Sequence, residues 1–126
     1  MPPFKTTAAN AILDKILRNT DFTPPAALFM SLHTADPGET GANEVAGGSY
    51  ARQSIAFAAA AAKHADNSGI ISFAGMPACT VTHIGLWTLA SGGVFWWAGT
   101  MSVNKSPAAG DTLQFAIADI DVNLTL

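Results

Sequence analysis

Residues 32–53 read LHTADPGETGANEVAGGSYARQ and carry the clearest signal for the architecture of this chain. Residues 32–34 are typical of the end of a strand, and residues 47–50 of the opening of another. The loop between them is too long for a tight hairpin turn. Because Pro presets its own φ and Gly tolerates positive φ, Asp36-Pro37-Gly38 predicts a turn inside this loop.

Strand-like segments separated by turn sequences continue along most of the chain. The Ser91-Gly92-Gly93 turn predicts a hairpin, and the alanine run at residues 58–62 predicts a strand end that runs into a loop. Short strands at near-regular spacing favour a mainly β fold, an antiparallel β-sandwich or a barrel-like domain. The predicted strands cover residues 27–34, 49–57, 69–73, 79–88, 94–101, 112–118 and 119–126.

The N-terminal segment predicts one amphipathic helix. Thr6-Thr7 can cap its start, residues 8–18 can form it, and Asn19 can end it. Its apolar positions at helical spacing are Phe4, Ala8, Ile12, Leu13, Ile16 and Leu17. Such a face either covers the sheet or packs on a neighbouring subunit. We predict a single domain over residues 1–126, with an arm at 1–25 and a β-sandwich at 26–126.

The composition favours an assembly subunit and excludes several other classes. Apolar residues make up 49% and charged residues 12%, against a usual charged share of about 25%. This indicates an apolar contact surface, unless small alanines alone inflate the apolar count. The net charge is −3 and the basic residues are scattered, so we expect no nucleic-acid partner. Cys79 cannot form an internal disulfide, and we expect no signal peptide and no membrane span.

The residues with catalytic or metal-binding chemistry do not form a recognisable motif. His33, His64 and His83 lack the local spacing of zinc ligands, and His83 is typical of a packed strand histidine. The acidic loop around Asp36, Glu39, Asn43 and Glu44 does not match the twelve-residue calcium loop. Asp119 and Asp121 are two apart in a predicted strand and favour a solvent-facing pair. We therefore predict no enzyme, no catalytic residue, no metal and no cofactor.

Seven residues are the candidates for an interface: Phe4, Ile12, Ile16, Tyr50, Arg52, Trp96 and Trp97. Tyrosine and arginine are enriched at interaction hot spots, so Tyr50 and Arg52 could anchor a partner. Arg52 could equally pair inside the chain with Asp36 or Glu44 and fasten the long loop to the sheet. Phe4, Ile12 and Ile16 belong to the helix face. We expect at least two of the three tryptophans to lie in the core.

Several blocks of the chain resemble a family of short bacteriophage virion proteins, labelled tail fibre proteins or capsid decoration (cement) proteins. The first block is LHTADPG at residues 32–38, with GANEV at 41–45 and GGSYARQ at 47–53. The later blocks are THIGLW at residues 82–87, SGG at 91–93 and AGDTL at 109–113. The resemblance covers residues 28–126 and implies a non-enzymatic β-sandwich that forms a homotrimer.

The resemblance leaves the position on the virion open between two readings. The first is a capsid decoration protein that binds the major capsid protein on the outer surface and stabilises the assembled shell. The alternative is a tail fibre or tail-associated subunit that contacts a host-surface glycan through Tyr50 and the tryptophans. Either protein is made in the host cytoplasm. An exposed aromatic cleft would favour host binding, and a flat apolar base would favour decoration.

Overall fold

The computed structural model of the protein describes residues 4–124, which form one helix, eight strands and their connections. The fold is mainly β with antiparallel sheets and a single N-terminal helix, as predicted. Strands β2-β1-β5-β6 form a four-stranded sheet, and β3-β8 and β4-β7 form two-stranded ribbons. The elements are α1 (Thr6–Arg18), β1 (Leu28–His33), β2 (Gln53–Ile55), β3 (His64–Asp66), β4 (Ile71–Phe73), β5 (Val81–Trp87), β6 (Phe95–Lys105), β7 (Leu113–Phe115) and β8 (Asp121–Asn123).

The main core lies between the four-stranded sheet and the two ribbons. Successive side chains of a strand point to opposite faces. Met30 and Leu32 of β1 therefore join Leu86 of β5 in one buried cluster, together with Phe73 of β4 and Phe115 of β7. The ribbons thus cover one face of the sheet as a second layer.

The opposite face of the sheet is covered by the long loop at residues 34–48. Trp87 and Phe95 form a second buried cluster there, with ring centroids 4.8 Å apart. Gly41 of the loop, at φ +77°, lies so close to Trp87 that a Cβ would come within 2.3 Å of the indole ring. The loop closes through a bridge between His33 and Glu44 and buries Pro37 and Val45, while most of its other residues are exposed.

A bulge at Trp96 distributes the aromatic residues of β6 over both faces of the sheet. Trp97 pairs with Leu86, while Phe95 pairs with Trp87, which leaves Trp96 as the extra residue. Simple alternation would place Phe95 and Trp97 on the same face. The bulge instead sends Phe95 to the cluster under the loop and Trp97 to the main core. Trp87 and Trp97 are buried, as expected for at least two of the tryptophans.

Helix α1 begins earlier than predicted, and part of its apolar face is left uncovered. It begins at Thr6, and the capping acceptor comes from Glu39 of the long loop, whose Oε1 lies 3.0 Å from the Thr6 backbone nitrogen. Ala8 is buried. The last turns present three apolar residues to solvent, because Leu13, Ile16 and Leu17 are 54%, 70% and 74% exposed. Asn19 ends the helix in the left-handed region, as predicted.

Three further predictions are corrected in detail. Strand β2 is limited to Gln53–Ile55, so residues 49–52 lie outside it. The alanine run leads into a two-residue turn before β3, a strand that the sequence did not indicate. Strand β8 begins at Asp121, so Asp119 belongs to the preceding turn and the two carboxylates do not share a strand. Residues 125 and 126 of the predicted last strand lie outside the described residues.

Candidate functional site

An apolar cleft of about 310 Å³ opens on the surface of the protein. It lies between α1, the segment before β1, the bulge of β6 and the inner face of the β3–β8 ribbon. All of its lining side chains are apolar, and those used below are Phe4, Ile12, Phe22, Trp96, Trp97 and Val122. Such a surface gains free energy when a partner removes it from water.

The β6 bulge and the N-terminal arm together shape this cleft. The arm runs along the edge of β6, where Phe4 forms a bridge with Trp97 and the Lys5 N–H donates to the Trp96 carbonyl at 2.9 Å. Because Trp96 is the bulged residue, its side chain lies at the rim, where its ring centroid is 6.2 Å from that of Phe22. The bulge therefore contributes two of the residues that line the cleft, Trp96 and Trp97.

Two polar atoms among these apolar residues lack a partner within the described part of the chain. The indole Nε1 atoms of Trp96 and Trp97 are buried and have no hydrogen-bond acceptor there. A buried donor without an acceptor costs roughly 1–3 kcal/mol.

The exposed end of α1 continues the cleft as an apolar ridge, formed by Leu13, Ile16 and Leu17. Ile12 lines the cleft, and Ile16 follows one helical turn later on the same side of the helix. The structure thus brings five of the seven interface candidates together: Phe4, Ile12, Trp96 and Trp97 in the cleft, and Ile16 on the ridge. Their role in an interface stays a prediction.

Tyr50 and Arg52 lie elsewhere, in a network centred on Glu44. The Arg52 Nε and Nη2 atoms donate to the two Glu44 carboxylate oxygens at 3.0 and 2.9 Å. The Tyr50 hydroxyl donates to the same carboxylate at 2.8 Å. The Arg52 guanidinium also stacks on Trp87, 3.7 Å from the ring centroid. Of the two internal partners considered for Arg52, the structure shows Glu44, and Asp36 instead caps the Gly38 N–H.

The electrostatics of this network match its geometry. Burial alone would raise the pKa of Glu44, but hydrogen bonds from Arg52 and Tyr50 and the Arg52 charge outweigh it and lower that pKa. Burial raises the pKa of the Tyr50 hydroxyl, which stays neutral and donates to Glu44. The side chain of Arg52 is 9% exposed. This network therefore fastens the long loop to the sheet.

His33 belongs to a buried hydrogen-bond chain that determines its tautomer. Its Nδ1 lies 2.8 Å from the Ala42 carbonyl, which can only accept, so Nδ1 carries the proton. Its Nε2 therefore accepts from the Ser31 hydroxyl at 2.7 Å, and Ser31 Oγ accepts from the Trp87 indole at 2.9 Å. Burial lowers the pKa of His33, which keeps the ring neutral. His33 is thus a structural residue under the loop.

The acidic residues of the long loop are dispersed to separate partners. Asp36 caps Gly38, Glu39 accepts from Thr6, and Glu44 pairs with Arg52. The Asn43 amide donates to the Asp36 carbonyl at 2.9 Å. Each acidic side chain therefore contributes to holding the loop, while most residues of the loop remain exposed to solvent.

The structure also assembles a cluster that the sequence did not reveal. His64, Asp66 and Asp121 place an imidazole nitrogen and two carboxylate oxygens within 4.8 Å of one another. The spacing of His64 and Asp66 in the sequence indicates one part of this cluster, because residues two apart in a strand share a face. Asp121 is 57 residues from His64 in the chain, so only the pairing of β3 with β8 brings it there.

These observations describe a small, mainly β protein with an apolar cleft beside an exposed apolar ridge. Within residues 4–124, no helix combines the length and hydropathy needed to cross a membrane. A family model described as podophage GP4 fiber I protein gp80 matches residues 3–123. A search of individually curated proteins gives no significant match.

The family match spans nearly the whole chain, and it defines the class of protein as a structural component of a bacteriophage virion. The chain belongs to the podophage GP4 fiber I protein gp80 family. The resemblance inferred from the sequence to phage tail fibre and virion proteins is confirmed at this level.

Proposed function

We propose that this protein is a non-enzymatic subunit of a phage fibre, and that copies of it associate through the apolar cleft and the ridge. The family description, a fiber I protein, supports a fibre over the capsid lattice. The observation that carries the proposal is the cleft with its wholly apolar lining beside the exposed residues of the ridge. A charged share of only 12% supports an assembled state.

A second copy of the chain suits this surface because one chain carries both halves of a contact. The ridge is convex and apolar, and the neighbouring cleft is concave and apolar. A ridge from one copy can fill the cleft of the next, which is a head-to-tail contact that closes into a ring when the rotation permits. The homotrimer expected from the resemblance is such a ring. Both surfaces then lie beside its axis.

The cleft gives less support to a host glycan as its occupant. Aromatic rings can stack on sugars, but sugar hydroxyls also require hydrogen-bonding groups beside those rings. The lining of the cleft is apolar, and the indole nitrogens of Trp96 and Trp97 are buried. Trp87 lies under Arg52 and the long loop. A protein surface matches this chemistry better.

The test is the oligomeric mass of a ridge variant compared with a matched surface variant. Ile16→Lys places a charge on the ridge, where the side chain is 70% exposed. Near the C-terminal end of a helix a lysine is compatible with the helix dipole, so the monomer should fold. Ile117→Lys is the control, because Ile117 is 60% exposed and lies away from the cleft.

We expect sedimentation equilibrium to give an oligomer for the wild type and Ile117→Lys, and a monomer for Ile16→Lys. Far-UV circular dichroism should be the same for all three proteins. A wild-type monomer at high concentration, or an unchanged oligomer in Ile16→Lys, would contradict association through the ridge.

Capsid decoration is the second candidate. It is supported by the lack of any repeat in these 126 residues of the kind that builds a fibre shaft. Quantitative mass spectrometry of purified particles separates the two candidates by copy number relative to the major capsid protein. A few copies per particle agree with a fibre, and a ratio near one per coat subunit agrees with decoration. Absence from the particle would contradict both.

A further inference from the structure

The outward face of the β3–β8 ribbon gathers four polar side chains. The register pairs His64 with Asn123 and Asp66 with Asp121. Alternate residues of a strand share a face, so these four side chains lie on one side of the ribbon. Val122 lies on the other side, where it packs against the core and lines the cleft. The ribbon therefore has a polar face turned away from the proposed contact surface.

The imidazole of His64 lies near two carboxylates at distances close to those between ligands of one metal ion, and the three ligand atoms all lie within 4.8 Å of one another. His64 Nδ1 lies 3.0 Å from Asp121 Oδ1 and 3.5 Å from Asp66 Oδ1. Ligand atoms bonded at about 2.1 Å to one metal ion lie roughly 3.0–3.4 Å apart in octahedral or tetrahedral geometry. We infer that His64, Asp66 and Asp121 form a surface site for a divalent transition-metal cation such as Zn²⁺, with water completing its coordination.

The ligand types select the class of cation. Imidazole nitrogen suits zinc and other transition metals, whereas calcium and magnesium prefer sites made of oxygen ligands. The two carboxylates of Asp66 and Asp121 balance the charge of a divalent ion. One histidine and two carboxylates with water form a three-ligand set of the kind that zinc adopts when one position stays open.

Asn123 supplies an outer contact that orients one of the ligands. Its Nδ2 donates to Asp121 Oδ2 at 3.2 Å, which leaves Oδ1 directed at His64. Carboxylate ligands of metals are commonly held by such second hydrogen bonds. On the other strand, the backbones of Ala61 and His64 exchange two hydrogen bonds, of 2.9 and 3.0 Å, which fixes the start of β3.

The alternative explanation is a simple hydrogen bond from His64 to Asp121, and one substitution separates the two. Asp121→Asn retains an oxygen that can accept from the imidazole but removes the charge that a cation requires. His64→Gln removes the imidazole ligand. His83→Gln is the matched control, because His83 lies in β5 and its Nδ1 contacts Thr82 Oγ1 at 2.7 Å.

The experiment is calorimetric titration of the full chain with Zn²⁺ after removal of metals by a chelator. We expect saturable binding of one Zn²⁺ per chain, unchanged in His83→Gln. We expect the affinity to fall at least about tenfold in His64→Gln and in Asp121→Asn, and about tenfold in Asn123→Ala. Zn²⁺ should also raise the melting temperature of the wild type and leave that of His64→Gln unchanged.

Three outcomes would overturn the assignment. They are no saturable Zn²⁺ binding by the wild type, equal affinity in the wild type and His64→Gln, and binding of Ca²⁺ in place of Zn²⁺. Circular dichroism of each variant confirms that it is folded. Because the ligands and the cleft lie on opposite faces of the ribbon, the oligomeric mass of Ile16→Lys tests the proposed function separately.

Discussion

At the residue scale, two networks of buried, partnered polar groups stabilise this protein, one centred on Glu44 and one on His33. Arg52 joins Glu44, Trp87 and the carbonyls of Leu89 and Gly92. His33 joins Ser31 and Ala42. A satisfied network stabilises one arrangement, and removing one member leaves the others buried without a partner. Both networks hold the long loop on the sheet.

The first prediction concerns the pH dependence of stability through His33. Its pKa in the folded protein is lowered from the ordinary value of 6.5. Below pH 6.5 the unfolded chain therefore binds more protons at this group than the folded chain does. The contribution of His33 to the free energy of unfolding is complete above pH 6.5. It is lost as the pH falls through the pKa that His33 has in the folded protein.

We expect the urea midpoint of the wild type to decrease as the pH falls from about 6.5 to 5. His33→Asn should be less stable at neutral pH and should show a smaller decrease over this range. Gly69→Ala is the control, because a Cβ there would meet open space, and it should keep the wild-type dependence. An identical dependence in His33→Asn would contradict the role of His33.

The second prediction concerns the Arg52–Glu44 pair. Arg52→Ala leaves a half-buried carboxylate without its cation, so we expect the free energy of unfolding to fall by about 3 kcal/mol. Arg18→Ala is the matched control, because the Arg18–Asp14 pair is exposed and should contribute less than about 0.5 kcal/mol. Urea denaturation of both variants measures the difference. Equal stability of the two variants would contradict the buried role of Arg52.

At the element scale, the central strands β1 and β5 are buried on both faces. Small residues in these strands therefore allow side chains of adjacent elements to pack closely against them. Gly85 of β5 pairs with Ser31 of β1, a member of the buried hydrogen-bond chain that contains His33. A Cβ on Gly85 would lie 2.4 Å from the Phe95 ring and 2.7 Å from Ser31 Oγ. The bulge of β6 is what places Phe95 at this point.

The third prediction follows from this close packing. Gly85→Ala should lower the free energy of unfolding by about 2 kcal/mol, because the added methyl group displaces Phe95 and Ser31. Gly69→Ala is the control: its Cβ would meet open space, and the change should stay within about 0.5 kcal/mol. Chemical denaturation of both variants tests this. A Gly85→Ala protein as stable as Gly69→Ala would contradict the packing on this face.

At the scale of the whole molecule, the three sheets share one core. Residues of the main sheet and of the β4–β7 ribbon form a single buried cluster, to which Ile120 and Val122 beside the β3–β8 ribbon also contribute. A two-stranded ribbon is at best marginally stable in water, so each ribbon depends on this shared packing.

The fourth prediction is therefore that the chain unfolds as one cooperative unit. Far-UV circular dichroism reports all strands, while tryptophan fluorescence reports mainly β5 and β6. We expect the two signals to give coincident transitions in urea, as in a two-state process. A fluorescence transition at a clearly different denaturant concentration would show that a ribbon unfolds separately.

Much of the fold could be predicted from the sequence because its signals are local. The Ser91-Gly92-Gly93 turn predicts the β5–β6 hairpin, and its flanking apolar runs predict the two strands. Strand β3 and the cleft could not be predicted, because they arise from contacts between segments distant in the chain, and the bulge at Trp96 could not be predicted because alternation alone does not show a one-residue shift in register. Strand propensity is a poor guide to structure where pairing between distant segments decides it.

The candidate sites divide in the same way. By itself, the sequence determined the mainly β class, the N-terminal helix, the position of the turns and the resemblance to phage fibre and virion proteins, since these depend on local pattern. Only the tertiary structure decided that Glu44 holds Arg52, that four interface candidates line one cleft, and that Asp121 joins His64. For Arg52 the sequence left two nearby partners open, whereas His64 and Asp121 are 57 residues apart and meet only because the folded core offsets the cost of closing so long a loop.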